Sequence, residues 1–206
     1  LNNGAWGFAY TNDLNKLDDI TQTAIKISKS LKGDVELSEA DIVKDKVKTP
    51  RKISVNDVDI EEKKELMADA NKSASVGKVI STTVNYQDSE SETAIVTSEG
   101  TEIIQDETRI GLWLNTVASS GDLIQFGHGS LGGAKGYEIL KNADIESFGR
   151  KIGEKATNLL NASTAPSGKF PIITDNELTG VFIHEALGHA SEADLNNKID
   201  SVIDYC

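Results

Sequence analysis

Cysteine, proline, methionine and aromatic side chains are scarce in this 206-residue chain, which has one Cys, three Pro, one Met and 5% Phe, Trp and Tyr. A single cysteine excludes an intrachain disulfide and fits a reducing compartment. No apolar run approaches the roughly 20 residues that a membrane-spanning helix needs. The opening residues lack the basic segment followed by an apolar one that marks a secretory signal. Positive charge is also short, with 21 Lys and Arg against 33 Asp and Glu, a net charge of −12. Such a surface repels a phosphate backbone, and the stretch Lys44-Asp45-Lys46-Val47-Lys48 is too short and too interrupted to offset it. The composition argues against direct nucleic-acid or membrane partners and for an acidic, soluble, cytoplasmic protein.

What is present is enough for a core: 38% of the residues are hydrophobic and 26% charged, a balance unlike that of disordered chains. The length allows one large domain, or a domain and the start of another. Leu1 and Cys206 both read as cut ends.

Residues Trp6 to Tyr10 read as a strand, and Thr11-Asn12-Asp13 as helix-capping side chains. Leu14, Leu17, Ile20, Ala24, Ile27 and Leu31 then recur at the period of an amphipathic helix that Gly33 ends. Asp34 to Val58, broken by Pro50, reads as a surface excursion, and Ile60 to Ser75 as a second helix. Val76 to Tyr86, Glu92 to Thr97, Arg109 to Ser119 and Asp122 to Phe126 are rich in β-branched residues and punctuated by turn formers, as antiparallel strands are. Gly127 to Gly136 reads as a flexible connection, and Asp144 to Asn161 as a third helix with Ile145, Phe148, Ile152, Ala156 and Leu159 along one stripe. A short strand, Phe170 to Thr174, and a last helix follow. Strands grouped together between helices predict an α+β fold: an antiparallel sheet flanked by helices, with the metal-binding helix at the C-terminal end. Two domains are expected, 1–165 and 166–206, the second leading into a C-terminal domain that these residues do not contain.

That last helix carries His184-Glu185-Ala186-Leu187-Gly188-His189. A catalytic zinc takes three protein ligands and leaves a position for water. The common helical solution spaces two histidines at i,i+4. Here the spacing is i,i+5, which puts the imidazoles roughly 140° apart on a regular α-helix. A π-type turn would bring them back to one side, and Gly188 is a plausible place for the distortion. Glu185 would then be the general base for an attacking water. Glu192, about one turn past His189, is placed to orient an imidazole or to bind the amine of a substrate. The residues alone leave two readings open, a metal site and a pair of structural histidines.

Phe170-Pro171-Ile172-Ile173, Gly180-Val181-Phe182-Ile183 running into His184-Glu185-Ala186-Leu187-Gly188-His189, and then Glu192 and Asp194 together resemble the signature of the TldD/PmbA family, once labelled modulators of DNA gyrase. The Trp6-Gly7-Phe8-Ala9 run and the stretch from Gly129 to Gly136-Tyr137-Glu138 are similar to it too. The resemblance implies a zinc (Zn2+) metallopeptidase that degrades flexible or unfolded peptides, His184 and His189 being ligands and Glu185 the catalytic carboxylate. It implies a dimer with a related, PmbA-like subunit that lacks the motif, this chain resembling the active member. The rival reading is a catalytically silent peptide-binding or regulatory subunit. The family's third ligand is a cysteine in a β-rich C-terminal domain, a position that Cys206 does not match.

Gly127-His128-Gly129-Ser130-Leu131-Gly132 fits Gly-x-Gly-x-x-Gly, but a dinucleotide site needs that loop between a parallel strand and a helix. His128 reads as a surface residue, and Trp6 and Trp113 as core.

Overall fold

The computed structural model describes residues 1–37 and 40–192. It divides into two compact units, Leu1–Asn161 and Ala162–Cys206. The first is α+β, a mostly antiparallel sheet with helices packed on one face.

A 3-10 turn, Leu14–Lys16, starts where the Asp13 carboxylate accepts the Asn15 amide at 3.0 Å, and α1 follows over Leu17–Ser30. Residues 6–10 do not form the expected strand. They have no ladder partner among the described residues, and Phe8 and Tyr10 are exposed. The segment lies instead along α1, where a Cβ on Gly7 would collide with the Ala24 carbonyl oxygen.

The expected surface excursion contains β1, Lys44–Lys48, which pairs in parallel with the start of β3. All five of its residues are exposed, so it has no hydrophobic alternation to reveal it. Helix α2, Ile60–Ala74, is capped by Asp59. Next come β2, Val79–Val96, β3, Glu102–Ser120, and β4, Leu123–Gly133. In the sheet β3 is central, with β2 along one side and both β1 and β4 along the other.

The two strands expected over Val76–Tyr86 and Glu92–Thr97 are thus one strand, continuous through Gln87–Ser91. Its polar middle stays in the sheet because ion pairs satisfy it. Asp88 Oδ2 lies 2.6 Å from Lys63 Nζ and 2.5 Å from the Tyr86 hydroxyl, and Glu90 Oε1 accepts from Ser54 Oγ at 2.7 Å. The first half of β3, absent from the expectation, is held in the same way. Arg51 Nη1 donates to Asp106 Oδ1 at 2.8 Å and to the buried Thr108 Oγ1 at 2.5 Å.

The glycine stretch is the largest correction. Through Gly133 it is strand β4, paired with β3 from Ser120↔Leu123 to Ile110↔Gly133. Its glycines make room for α4, Ile145–Leu159. A Cβ on Gly127 would strike the Ile152 carbonyl oxygen, and one on Gly129 would lie 2.6 Å from Ile152 Cδ1. An antiparallel strand under a helix is no dinucleotide loop, and His128 is exposed on it.

The core lies between sheet and helices. Ile110, Leu112, Leu114 and Ala118 of β3 alternate toward it, the period-2 pattern of a half-covered strand. They meet Val55, Ala70 and Tyr137, then Leu140 of the short helix α3, Glu138–Lys141. Further along they meet Ala74 and Ile152, then Ala156 and Leu160. Helices α2 and α4 touch backbone to backbone, since a Cβ on Gly149 would lie 2.8 Å from the Ala70 oxygen and one on Gly153 would strike that of Ala74. The tryptophans are not in this core: Trp6 is 55% and Trp113 42% exposed. Trp113 lies on the uncovered face of the sheet, its ring over Gly111.

No helix among the described residues is long and apolar enough to cross a membrane.

Candidate metal centre

In the second unit residues 169–175 carry no strand, so the expected strand at Phe170–Thr174 is absent. Ile172 and Ile173 are exposed, and no neighbouring edge among the described residues pairs with them. Helix α5, Asn176–Ile183, begins where the Asp175 carboxylate accepts the Leu178 amide at 2.8 Å. A side-chain oxygen at this position satisfies one of the free N–H groups of the first turn.

The helix then changes its winding twice. Residues His184–Gly188 form a π-helical turn, and His189–Ser191 a 3-10 turn. The His189 amide donates to the His184 carbonyl, so the two histidines are themselves the ends of an i,i+5 hydrogen bond. This is the widening that the sequence spacing demands. The imidazole centroids come within 4.6 Å, the rings 71° apart.

Gly188 sits at φ −57°, ψ −56°, an ordinary helical conformation. Its backbone freedom is therefore not what makes the π turn. A Cβ there would stand 3.4 Å from His184 Nδ1, so its small size only keeps the edge of that ring open.

Donor atoms of His184, Glu185 and His189 all lie within 4.8 Å of one another, on exposed side chains. Tetrahedral zinc with bonds of about 2.0–2.1 Å spaces its donors about 3.4 Å apart, within the reach that these atoms share. Imidazoles are donors that zinc takes, and a carboxylate beside them can act on metal-bound water, so the residues fit the ion as two of its ligands and a base. Glu185 Oε2 lies 3.6 Å from His189 Nε2, and Glu192 Oε1 lies 2.7 Å from His189 Nδ1. The four residues named from the sequence thus stand together at one end of α5. Asp194 and Cys206 lie outside the described residues.

A helix that turns two imidazoles and a carboxylate to one side has the organisation of a metallopeptidase centre. Residues 53–160, just over half of the chain, match the family model of the PmbA/TldA metallopeptidase central domain. The chain belongs to the PmbA/TldA metallopeptidase family. It is 52% identical over 204 residues to a metalloprotease of Methanothermobacter thermautotrophicus, covering 99% of this chain and 45% of that protein. It is 34% identical over 112 residues to a zinc metalloprotease TldD homologue of Saccharolobus solfataricus, covering 54% of this chain and 25% of that one. The chain therefore spans less than half the length of these relatives. Its fold is that of a protein from Bacteroides thetaiotaomicron described as a modulator of DNA gyrase, with a TM-score of 0.73 at 18% identity over 91% of this chain and 44% of that one.

Proposed function

We propose that this chain carries the metal-binding helix of a zinc-dependent peptidase that hydrolyses flexible or unfolded peptides in the cytoplasm. It is the active-subunit type, working in a dimer with itself or with a related PmbA-like subunit. The observation that carries the reading is the π turn, which converges two imidazoles and a carboxylate spaced wrongly for an α-helix.

In this reading His184 and His189 hold the ion, with a third donor supplied from elsewhere in the protein. When bound, zinc acts as a Lewis acid toward the scissile carbonyl and lowers the pKa of water. Glu185 takes the proton from the water that attacks the peptide carbon and returns it to the departing amine. The exposure of all three side chains leaves them open to an extended peptide.

Metal analysis and hydrolysis of an unstructured peptide, with Glu185→Ala beside the native protein, test this. The expected result is about one zinc per chain and loss of hydrolysis by about 10²–10⁴-fold in the variant, with zinc retained. Unchanged hydrolysis in Glu185→Ala removes it as the base. A native protein without zinc supports the rival reading, a silent peptide-binding or regulatory subunit.

A further inference from the structure

We propose that Glu192 is the positioning residue of His189, fixing its tautomer so that Nε2 presents its lone pair beside His184 and Glu185. The proposal rests on the peptidase reading for its purpose, but not for its geometry. Two carboxylates flank the His189 ring. Glu192 Oε1 stands 2.7 Å from Nδ1, a hydrogen-bonding distance, while Glu185 Oε2 stands 3.6 Å from Nε2, which is too far. An ionised carboxylate only accepts, so Nδ1 carries the hydrogen and donates it. A ring whose hydrogen is held at Nδ1 keeps its lone pair at Nε2, the nitrogen that lies 3.6 Å from Glu185 Oε2.

The change of winding explains why a residue at i+3 reaches this far. In an α-helix a residue three positions on is rotated about 60° off the axis line of the first. In a 3-10 turn, positions i and i+3 eclipse. Residues His189–Ser191 are such a turn, closed by the Glu192 amide donating to the His189 carbonyl at 3.2 Å. The π turn therefore aligns His184 with His189, and the 3-10 turn aligns His189 with Glu192. One face of a single helix end carries ligand, ligand and positioning carboxylate, although no single helical period connects the three.

Two measurements on the whole protein, which supplies the third zinc donor, test this. Long-range ¹⁵N–¹H spectra of histidine-labelled protein report the tautomer of each ring, a His189→Gln sample assigning the His189 peak. Without metal, native His189 is expected in the Nδ1–H form. Glu192→Gln keeps an acceptor oxygen and is expected to keep that form, whereas Glu192→Ala loses it. Zinc affinity is expected to fall about 10–100-fold in Glu192→Ala and to be largely rescued in Glu192→Gln. An unchanged Nδ1–H tautomer in Glu192→Ala, or native zinc affinity there, overturns the proposal. Failure of native protein to take up zinc overturns the peptidase reading instead, and the tautomer spectra decide the role of Glu192 in either case.

Discussion

The backbone N–H of His189 donates to the carbonyl of His184, so the two imidazoles stand at the ends of one π-helical hydrogen bond. The bond and the spacing are two views of one constraint: the step of five residues must cover little more than one revolution.

This makes the number of residues between the histidines testable by itself. Inserting an alanine after Ala186 gives i,i+6 spacing, roughly 240° on an α-helix, and is expected to lower zinc affinity at least about tenfold. Deleting Leu187 gives i,i+4, which a regular helix aligns without a π turn, and is expected to hold zinc within about tenfold of the native chain. Isothermal titration of both variants measures the difference. Equal losses in the two would show that winding does not set the site.

The contact between α4 and β4 predicts an order between two glycine substitutions. In Gly127→Ala the new Cβ strikes the Ile152 carbonyl oxygen, which cannot move without the helix. In Gly129→Ala it meets Ile152 Cδ1, the far end of a side chain with other rotamers. Gly127→Ala is expected to cost about 1–3 kcal/mol and Gly129→Ala less. Urea denaturation of the two variants gives the comparison.

Leu112 is fully buried on the core face of β3, packed with the cluster around Val55, Ala70 and Tyr137. Leu112→Ala is expected to destabilise the chain by about 2–5 kcal/mol, the loss of transfer energy plus the cavity left behind. The same denaturation assay reads it.

Acid sensitivity is expected to run through Asp106. Burial alone would raise its carboxyl, but the hydrogen bond and charge of Arg51, with the charge of Lys48, hold it below its ordinary value. A carboxyl depressed in the folded state contributes stability that is fully present above its unfolded pKa of about 3.9. That contribution fades as pH falls toward and through the lower folded value. Asp106→Asn is expected to be less stable than the native chain at neutral pH, with the gap narrowing below about pH 4. Thermal melts at neutral and acid pH check it, and a gap independent of pH would remove Asp106 from the account.

The helices and the winding of the candidate site were legible because their signals are local. Leu14 to Leu31 and Ile145 to Leu159 carry the helical period on one stripe, and the i,i+5 spacing of His184 and His189 by itself points to a π turn if the two imidazoles are to share an ion. What was not legible depended on partners distant in sequence. The middle of β2 looks like a break until Lys63 and Arg51 are seen to pair with Asp88 and Glu90. Lys44–Lys48 is a strand only because β3 lies beside it. Trp6–Tyr10 and Phe170–Thr174 have strand-like residues but no neighbour to pair with among the described residues. The glycines of β4 read as a loop because their role is to be empty beneath Ile152.

That emptiness also bears on motion. Interdigitated side chains let a helix adjust by changing rotamers, but where α4 rests on Gly127 the facing surfaces are main chain, which has none. The helix and the strand must therefore move as one body at that contact. At Gly127 a displacement of α4 passes to β4 through the Ile152 carbonyl, with no rotamer there to take it up.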